Sequence, residues 1–223
     1  MKKEKILNFI FGASGSAKEV DWLTDDIFRA GISDFRTNFF VVENNSQLIG
    51  GNINTKPIIL EDIFLERYKN RSKNCFIGIG SPGIRSKIVD FLRRNTSNSY
   101  FPNIIHPSVD FDRRKDKIIM GEGSIICAKN VLTTDIKIGN FVHVNIDCTV
   151  GHDCIIEDYV TISPGVNISG NVIIEEAVFI GTGVNILENL RIASGCKIGA
   201  GATLIKSALE PGTYVGIPAV KIK

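Results

Sequence analysis

The sequence predicts an α/β unit built on a small parallel sheet, followed by a solenoid whose coils stack parallel strands. Two observations predict it. From position 120 to position 209 an apolar residue opens every unit of six residues without a lapse, and in the first hundred residues strands alternate with helices. A fixed internal period describes a chain stacked on itself, and alternation of strand and helix describes a sheet covered on its faces. The boundary is expected near position 105, giving domains of 1–105 and 106–223.

The first domain begins with the apolar run Ile6 to Phe11, a strand. The small-residue loop Gly12-Ala13-Ser14-Gly15-Ser16-Ala17-Lys18 follows, then a helix over Glu19 to Ala30 with Val20, Leu23 and Ile27 on one face. A second strand, Phe39 to Val42, ends at Glu43-Asn44. A third, Cys75 to Ile79, ends at Gly80-Ser81-Pro82-Gly83 before a helix from Ile84 to Arg94. This order makes a Rossmann-like sheet with a crevice at the carboxyl ends of its strands. Small residues at a helix N-terminus let backbone N–H groups close on a phosphate. The loop lacks the third glycine of a dinucleotide fingerprint, which speaks against nicotinamide, and Ala17 stands where a P-loop places the glycine before its lysine. A nucleotide is the expected occupant, with Glu43 closing the second strand beside it.

In the repeat, Met120, Ile126, Leu132, Ile138 and their successors to Leu204 fall in step. Most have a small or apolar partner four places on, from Ile136 and Val142 to Cys196 and Ala202. Three six-residue faces close a triangular coil of about 18 residues, so equivalent residues lie one strand spacing, about 4.8 Å, apart. The repeat is long enough for about five coils. The branched residue points inward beside its small partner, and Gly139, Asn140, Gly151, Gly181 and Gly199 are expected to ease the corners. Periodicity leaves the hand of the coil open.

A net charge of +2 is too weak to point to nucleic acid or an anionic membrane, and Arg113-Arg114-Lys115 reads as a solvated loop. The basic opening Met1 to Lys5 precedes an apolar run too short for a signal peptide, and no long apolar span follows, so a cytoplasmic protein is expected. Three of the five cysteines, Cys148, Cys154 and Cys196, take small-partner positions; with Cys75 and Cys127 they read as reduced core residues rather than a disulfide set. No C-x-x-C occurs and there are only three histidines, so no metal is expected.

The histidines are the candidate bases. His106 sits in Asn103-Ile104-Ile105-His106-Pro107-Ser108, at the entry to the solenoid, and reads as part of a cap or linker. His143 takes the last place of its six-residue unit, before the inward Val144, and reads as a surface or ligand-lining residue. His152, in Val150-Gly151-His152-Asp153-Cys154, follows an inward residue and a glycine, so it projects outward with an acid beside it. Asp153 is placed to orient the imidazole or to bond an acceptor, and Asn145, seven residues earlier, to fix its tautomer. Position alone leaves a plain surface histidine open.

The stretch Asn145-Ile146-Asp147-Cys148-Thr149-Val150-Gly151-His152-Asp153-Cys154-Ile155-Ile156 resembles the active-site segment of the bacterial sugar O- and N-acyltransferases. These are hexapeptide-repeat proteins of left-handed parallel β-helix fold, among them the bacillosamine-pathway N-acetyltransferase and the sialic acid O-acetyltransferase. The resemblance runs along almost the whole chain. Its further markers are Phe11-Gly12-Ala13-Ser14-Gly15, Ile77-Gly78-Ile79-Gly80 with Arg85, Ile105-His106-Pro107-Ser108, Gly199-Ala200-Gly201-Ala202-Thr203 and Pro211-Gly212-Thr213-Tyr214-Val215-Gly216-Ile217-Pro218-Ala219. The resemblance implies that the first domain holds a nucleotide-sugar, that the solenoid forms a homotrimer, and that acetyl-CoA, the acyl donor, lies between neighbouring solenoids. It also implies that Gly12, Ala13, Ser14, Gly15, Ser16 and Lys18 face the nucleotide-sugar, with Glu43, Asn44, Gly80 and Ser81 around its base and ribose. His152 becomes the general base, supported by Asp153 and Asn145, and Thr161, Gly170, Gly181 and Thr182 line the pantetheine path, chiefly through backbone groups. Two departures fall on the sugar-nucleotide side: Ser16-Ala17 replaces a common His-Gly, and Glu43-Asn44 a frequent pair of aspartates. Thr161 stands where some relatives carry a histidine near the thioester.

The activity so implied is direct N-acetylation of a nucleotide-linked 4-amino-4,6-dideoxy sugar, feeding surface glycans such as O-antigen. Cys148 and Cys154, being inward, are poor candidates for a covalent intermediate. The same base would serve O-acetylation of a sugar hydroxyl, as on sialic acid, and the repeats alone would suit a non-catalytic sugar-nucleotide-binding solenoid. A nucleotidyltransferase fused to such repeats would need a larger first domain.

Overall fold

The computed structural model describes residues 6–44, 47, 48 and 50–223; the basic opening, Met1 to Lys5, lies outside the described residues. The chain divides into two compact units. One runs to Gly80 and resumes at Ile84–Pro102; the other is Asn103–Lys223 together with Ser81–Gly83.

The first unit contains β1 (Leu7–Phe11), α1 (Gly15–Arg29), β2 (Phe39–Val42), β3 (Asn52–Ile53), β4 (Lys56–Leu60), α2 (Glu61–Tyr68), β5 (Lys73–Ile77), α3 (Pro82–Asn95) and β6 (Ser99–Tyr100). Its sheet has the order β3-β4-β2-β1-β5-β6, parallel apart from the β3–β4 hairpin. Helix α1 begins four residues before the expected start, because the small residues from Gly15 onward are already helical. Elements β3, β4 and α2 were not legible: the hairpin turns on Asn54 and Thr55, at φ 48° and 68°, and a threonine there carries no turn signal. Helix α2 covers β1, setting Phe64 edge-on against Phe9 and Phe11 with centroids 5.0 and 5.1 Å apart. The buried Lys73 ammonium donates to the carbonyls of Lys69, Arg71 and Ser97 at 3.1, 3.0 and 2.9 Å, tying the ends of α2 and α3 together.

In the second unit, short strands stack into three sheets, the faces of the solenoid, parallel apart from the closing pair Thr213–Val215 and Val220–Lys221. The first face carries Ile125–Ile126, His143–Val144, Thr161–Ile162, Phe179–Ile180 and Lys197–Ile198; the second carries Val131–Leu132, Thr149–Val150, Asn167–Ile168, Asn185–Ile186 and Thr203–Leu204. The third carries Ile136–Ile138, Ile155–Ile156, Ile173–Ile174 and Arg191–Ile192. Val144 pairs with Ile126 on one side and Ile162 on the other, the register the repeat predicts. The residues expected inward, from Ile126 to Leu204, form one continuous core. All five cysteines are free and buried. Burial pushes the Cys148 thiol up to about 11 and the Cys75 thiol up to about 12.

One sequence expectation, the residues that make the corner turns, is corrected, and the repeat by itself misses one coil of the solenoid. The solenoid begins a coil earlier than the repeat, at Ile104–Ile105, and this first coil is long: Ile104 pairs with Ile125 and Asp110 with Val131, at a spacing of 21 residues. The extra residues fall between Phe111 and Ile118, where the 18-residue spacing resumes and the period becomes readable. The corner turns are made two places after the glycines expected to make them, by Phe141, Asp153, Gly183 and Gly201 at φ 53°, 59°, 69° and 69°. Gly151 is needed instead for coil contact: a Cβ there would meet the backbone N of Gly170 at 2.6 Å.

Candidate active site

In the first unit, β1 lies between β2 and β5, so the chain leaves it in one direction and returns on its other side, the switch point where open α/β sheets bind ligands. A cleft of about 280 Å³ opens there, lined by Phe11, Gly12, Val42, Glu43, Glu61 and Ile79. A neighbouring hollow adds Asn44 and Lys87. Gly12 sits at φ 110°, and a Cβ would meet Ile79 Cδ1 at 2.8 Å, so only glycine fits this bend. Helix α1 starts beside it with no acidic residue in its first turn and no side-chain bond from its cap residue Ser14, an N-terminus suited to an anion. Ser16 in that turn approaches Gly80, whose Cβ would lie 3.5 Å from its Oγ. Arg85, 1% exposed, donates to the carbonyls of Ile79 and Gly80 at 2.8 and 3.4 Å and fixes this rim.

Of the expected nucleotide-sugar residues, Gly12 and Glu43 line the cleft, Asn44 lines the neighbouring hollow beside Glu43, and Ser16 approaches Gly80 at the rim; Ala13, Ser14 and Gly15 form the turn that joins Gly12 to α1. Lys18 is exposed on α1, and Ser81 groups with the second unit. Asn44 commits its Oδ1 to the N–H of Asp62 at 2.9 Å, in the first turn of α2. Glu61 went unnoticed in the sequence because α2 did. Burial, then the neighbouring Glu43 and Asp62 carboxylates, push its carboxyl above the usual range.

In the second unit, His152 stands at the corner between the second and third faces. Its Nδ1 lies 2.8 Å from Asp153 Oδ2. A carboxylate only accepts, so in the neutral imidazole this contact puts the proton on Nδ1 and the lone pair on Nε2. The two side chains are 64% and 61% exposed, so packing does little to hold them. Backbone does more: the Asp153 N–H donates to the Thr134 carbonyl at 3.2 Å, and the His152 carbonyl accepts the Asn171 N–H at 2.7 Å. One coil on, Gly170 seats the ring. A Cβ at Gly170 would lie 2.6 Å from both Cε1 and Nε2 of His152. The sequence reading put Gly170 on the donor path; the geometry adds this seat.

Asn145, Gly181 and Thr182 stand at a different corner, between the first and second faces. Asn145 Oδ1 accepts the N–H of Ile146 at 2.7 Å, so within one chain the His152 tautomer is set by Asp153 and not, as expected, by Asn145. Thr161, expected along the pantetheine, is buried, 5% exposed, between its sheet partners His143 and Phe179. His143 is 2% exposed, with Nε2 3.6 Å from Cys127 Sγ, which corrects the surface reading. His106 pairs its Nδ1 with Ser108 Oγ at 2.8 Å in the turn that opens the solenoid.

Comparison with known proteins gives this architecture a family. Residues 135–170 and 171–206 each match the bacterial transferase hexapeptide family of six repeats. GDP-perosamine N-acetyltransferase of Escherichia coli O157:H7 is 32% identical over 159 residues, 70% of this chain and 66% of that enzyme, so the chain spans just under two thirds of that relative. WeeI from Acinetobacter baumannii AYE has a TM-score of 0.85 at 32% identity, over 98% of this chain and 100% of its own. The acetyltransferase domain of PglB from Neisseria gonorrhoeae FA1090, solved with acetyl coenzyme A, has a TM-score of 0.82 at 28% identity, over 96% and 98%. The chain belongs to the hexapeptide-repeat transferases. Its solenoid is the left-handed parallel β-helix of that family, and two of these relatives are named as acetyltransferases.

Proposed function

We propose that the chain is an acetyl-CoA-dependent N-acetyltransferase acting on a nucleotide-linked 4-amino-4,6-dideoxy sugar. The observation that carries this reading is the outward His152, its Nδ1 held by Asp153 and its ring seated on Gly170. An imidazole so held presents Nε2 as a base. The neutral sugar amine attacks the thioester carbonyl, and Nε2 takes its proton as the C–N bond forms, while a backbone N–H holds the oxyanion. The C–S bond then breaks, and the leaving thiolate recovers the proton from the imidazolium. General base catalysis of this kind contributes about 10²–10⁴ in rate. A thiol nucleophile is disfavoured by the buried, raised cysteines.

The switch-point crevice supports a nucleotide, the PglB domain's acetyl coenzyme A supports the donor, and GDP-perosamine, the substrate in one relative's name, supports the acceptor class. The separation of His152 from Asn145, Gly181 and Thr182 supports a homotrimer: a second copy brings the other edge to His152, and the donor lies between the two. Products of this class feed surface glycans, O-antigen among them, from precursors made in the cytoplasm. Among the described residues no helix is long and apolar enough to cross a membrane. Coenzyme A release, followed with a thiol reagent, tests the reading against UDP-, dTDP- and GDP-linked 4-amino-4,6-dideoxy sugars. Release with one amine is expected; release with sialic acid alone would move the activity to O-acetylation.

A further inference from the structure

The long first coil raises a question that the repeat does not answer: why extra residues stand at this corner. The corner is the one that carries His152. Asp112–Lys117 occupy it in the first coil, Thr134 in the second and His152 in the third, each stacked on the last. The loop is latched to Thr134. Asp112 Oδ2 accepts the Thr134 hydroxyl at 2.7 Å, and its two oxygens are gripped by Arg114 through the backbone N–H at 3.0 Å, Nε at 3.0 and 3.1 Å, and Nη2 at 2.6 Å. A second hold comes from Lys117 Nζ on Asp135 Oδ1 at 2.7 Å. The Thr134 hydroxyl also lies 3.1 Å from Asp135 Oδ2; having one proton, it gives it to the nearer Asp112. Arg114, the Thr134 hydroxyl and the Arg114 N–H together hold the Asp112 carboxyl far below the usual carboxylate range.

Thr134 is also the residue whose carbonyl receives the Asp153 N–H, and Asp153 carries the bond to His152 Nδ1. Both side chains of that pair are more than half exposed, so their geometry depends on where the backbone puts Asp153. We infer that Asp112, through Thr134, is a positioning residue for the His152–Asp153 pair, and that the extra residues of the first coil serve to place it there. The inference rests on the reading of His152 as general base, but its test does not need the substrate.

The test is the tautomer of His152, read by ¹⁵N NMR of histidine-labelled protein at about pH 8.5, where an ordinary imidazole is neutral. His152→Gln assigns the signal, and Asp153→Ala gives the state with the carboxylate gone. The wild type is expected to hold the Nδ1–H form, and Asp112→Ala and Thr134→Val to shift most of the population toward the Asp153→Ala spectrum. Asp112→Asn, whose amide oxygen still accepts from Thr134, should restore the wild-type signal. Thermal melts show whether each variant is folded, and Thr134→Val, which keeps the shape of the side chain, serves if Asp112→Ala is not. Once the acceptor is known, Asp112→Ala should lower kcat about tenfold with the KM for acetyl-CoA unchanged. A wild-type tautomer in both Asp112→Ala and Thr134→Val overturns the inference, whereas failure of acetyl transfer with the tautomer shift intact overturns only the proposed function.

Discussion

Replacing Gly170 by alanine separates folding from catalysis at one atom. The new Cβ would lie 2.6 Å from Cε1 and Nε2 of His152 and 3.1 Å from Cδ2. Carbon contacts settle at about 3.5–4.0 Å, so the ring must move by about 1 Å. It is free to do so, being the exposed end of a flexible side chain, but the move breaks its 2.8 Å bond to Asp153. A misplacement of about 1 Å costs on the order of 10²-fold in rate, or about 2.7 kcal/mol of transition-state stabilisation. The folded state loses little, and the alanine stiffens the unfolded chain by about 0.4–1 kcal/mol in its favour. Gly170→Ala should therefore melt at or slightly above the wild-type temperature while kcat falls about 100-fold. Gly151→Ala is the contrast: its Cβ would meet Gly170 N at 2.6 Å and the Ser169 carbonyl carbon at 2.7 Å, both backbone, and should cost about 1–3 kcal/mol in stability. The assays are coenzyme A release and a thermal melt. Gly170→Ala with wild-type kcat, or with a melting point lowered as far as that of Gly151→Ala, would refute the seat.

Further outcomes follow from the same geometry. Mixing His152→Ala with Asn145→Ala chains before assembly should recover about one quarter of wild-type turnover, the share of interfaces that pair an intact His152 with an intact Asn145; no recovery would place the site within one chain. Glu61 holds its proton more tightly when folded, so stability falls as pH rises from the ordinary carboxylate value through the raised one. Glu61→Gln should therefore raise the melting temperature at neutral pH, and the gain should vanish below about pH 4, in a melt series against pH. With every cysteine buried, a thiol reagent near pH 8 should label the native protein slowly and all five thiols at once on unfolding; fast native labelling would contradict the packed coil.

The solenoid was legible because a branched residue every six places has a single geometric use, and from Ile126 to Leu204 the core follows it. What hid the first coil was the extra length between Phe111 and Ile118, which breaks the period without breaking the stack. The corner glycines were misread because two demands alternate there: left-handed φ, met by Asp153 or Phe141 as well as by glycine, and coil contact, met by Gly151. His152 and Asp153 could be paired from adjacency in sequence. The seat under His152 and the latch at Thr134 could not, because they join residues one coil apart, and only the stacked register brings them together. In the first unit, β1, α1 and β2 carried their signals, whereas Glu61 came with a helix that no cap or turn residue announced.

The most direct test compares coenzyme A release by wild-type protein and by His152→Ala, from acetyl-CoA and the nucleotide-linked 4-amino sugar that the wild type turns over. The account predicts that His152→Ala folds and binds acetyl-CoA as the wild type does and turns over at about 10²–10⁴-fold lower rate. Release at the wild-type rate would remove His152 from the chemistry and with it the central claim.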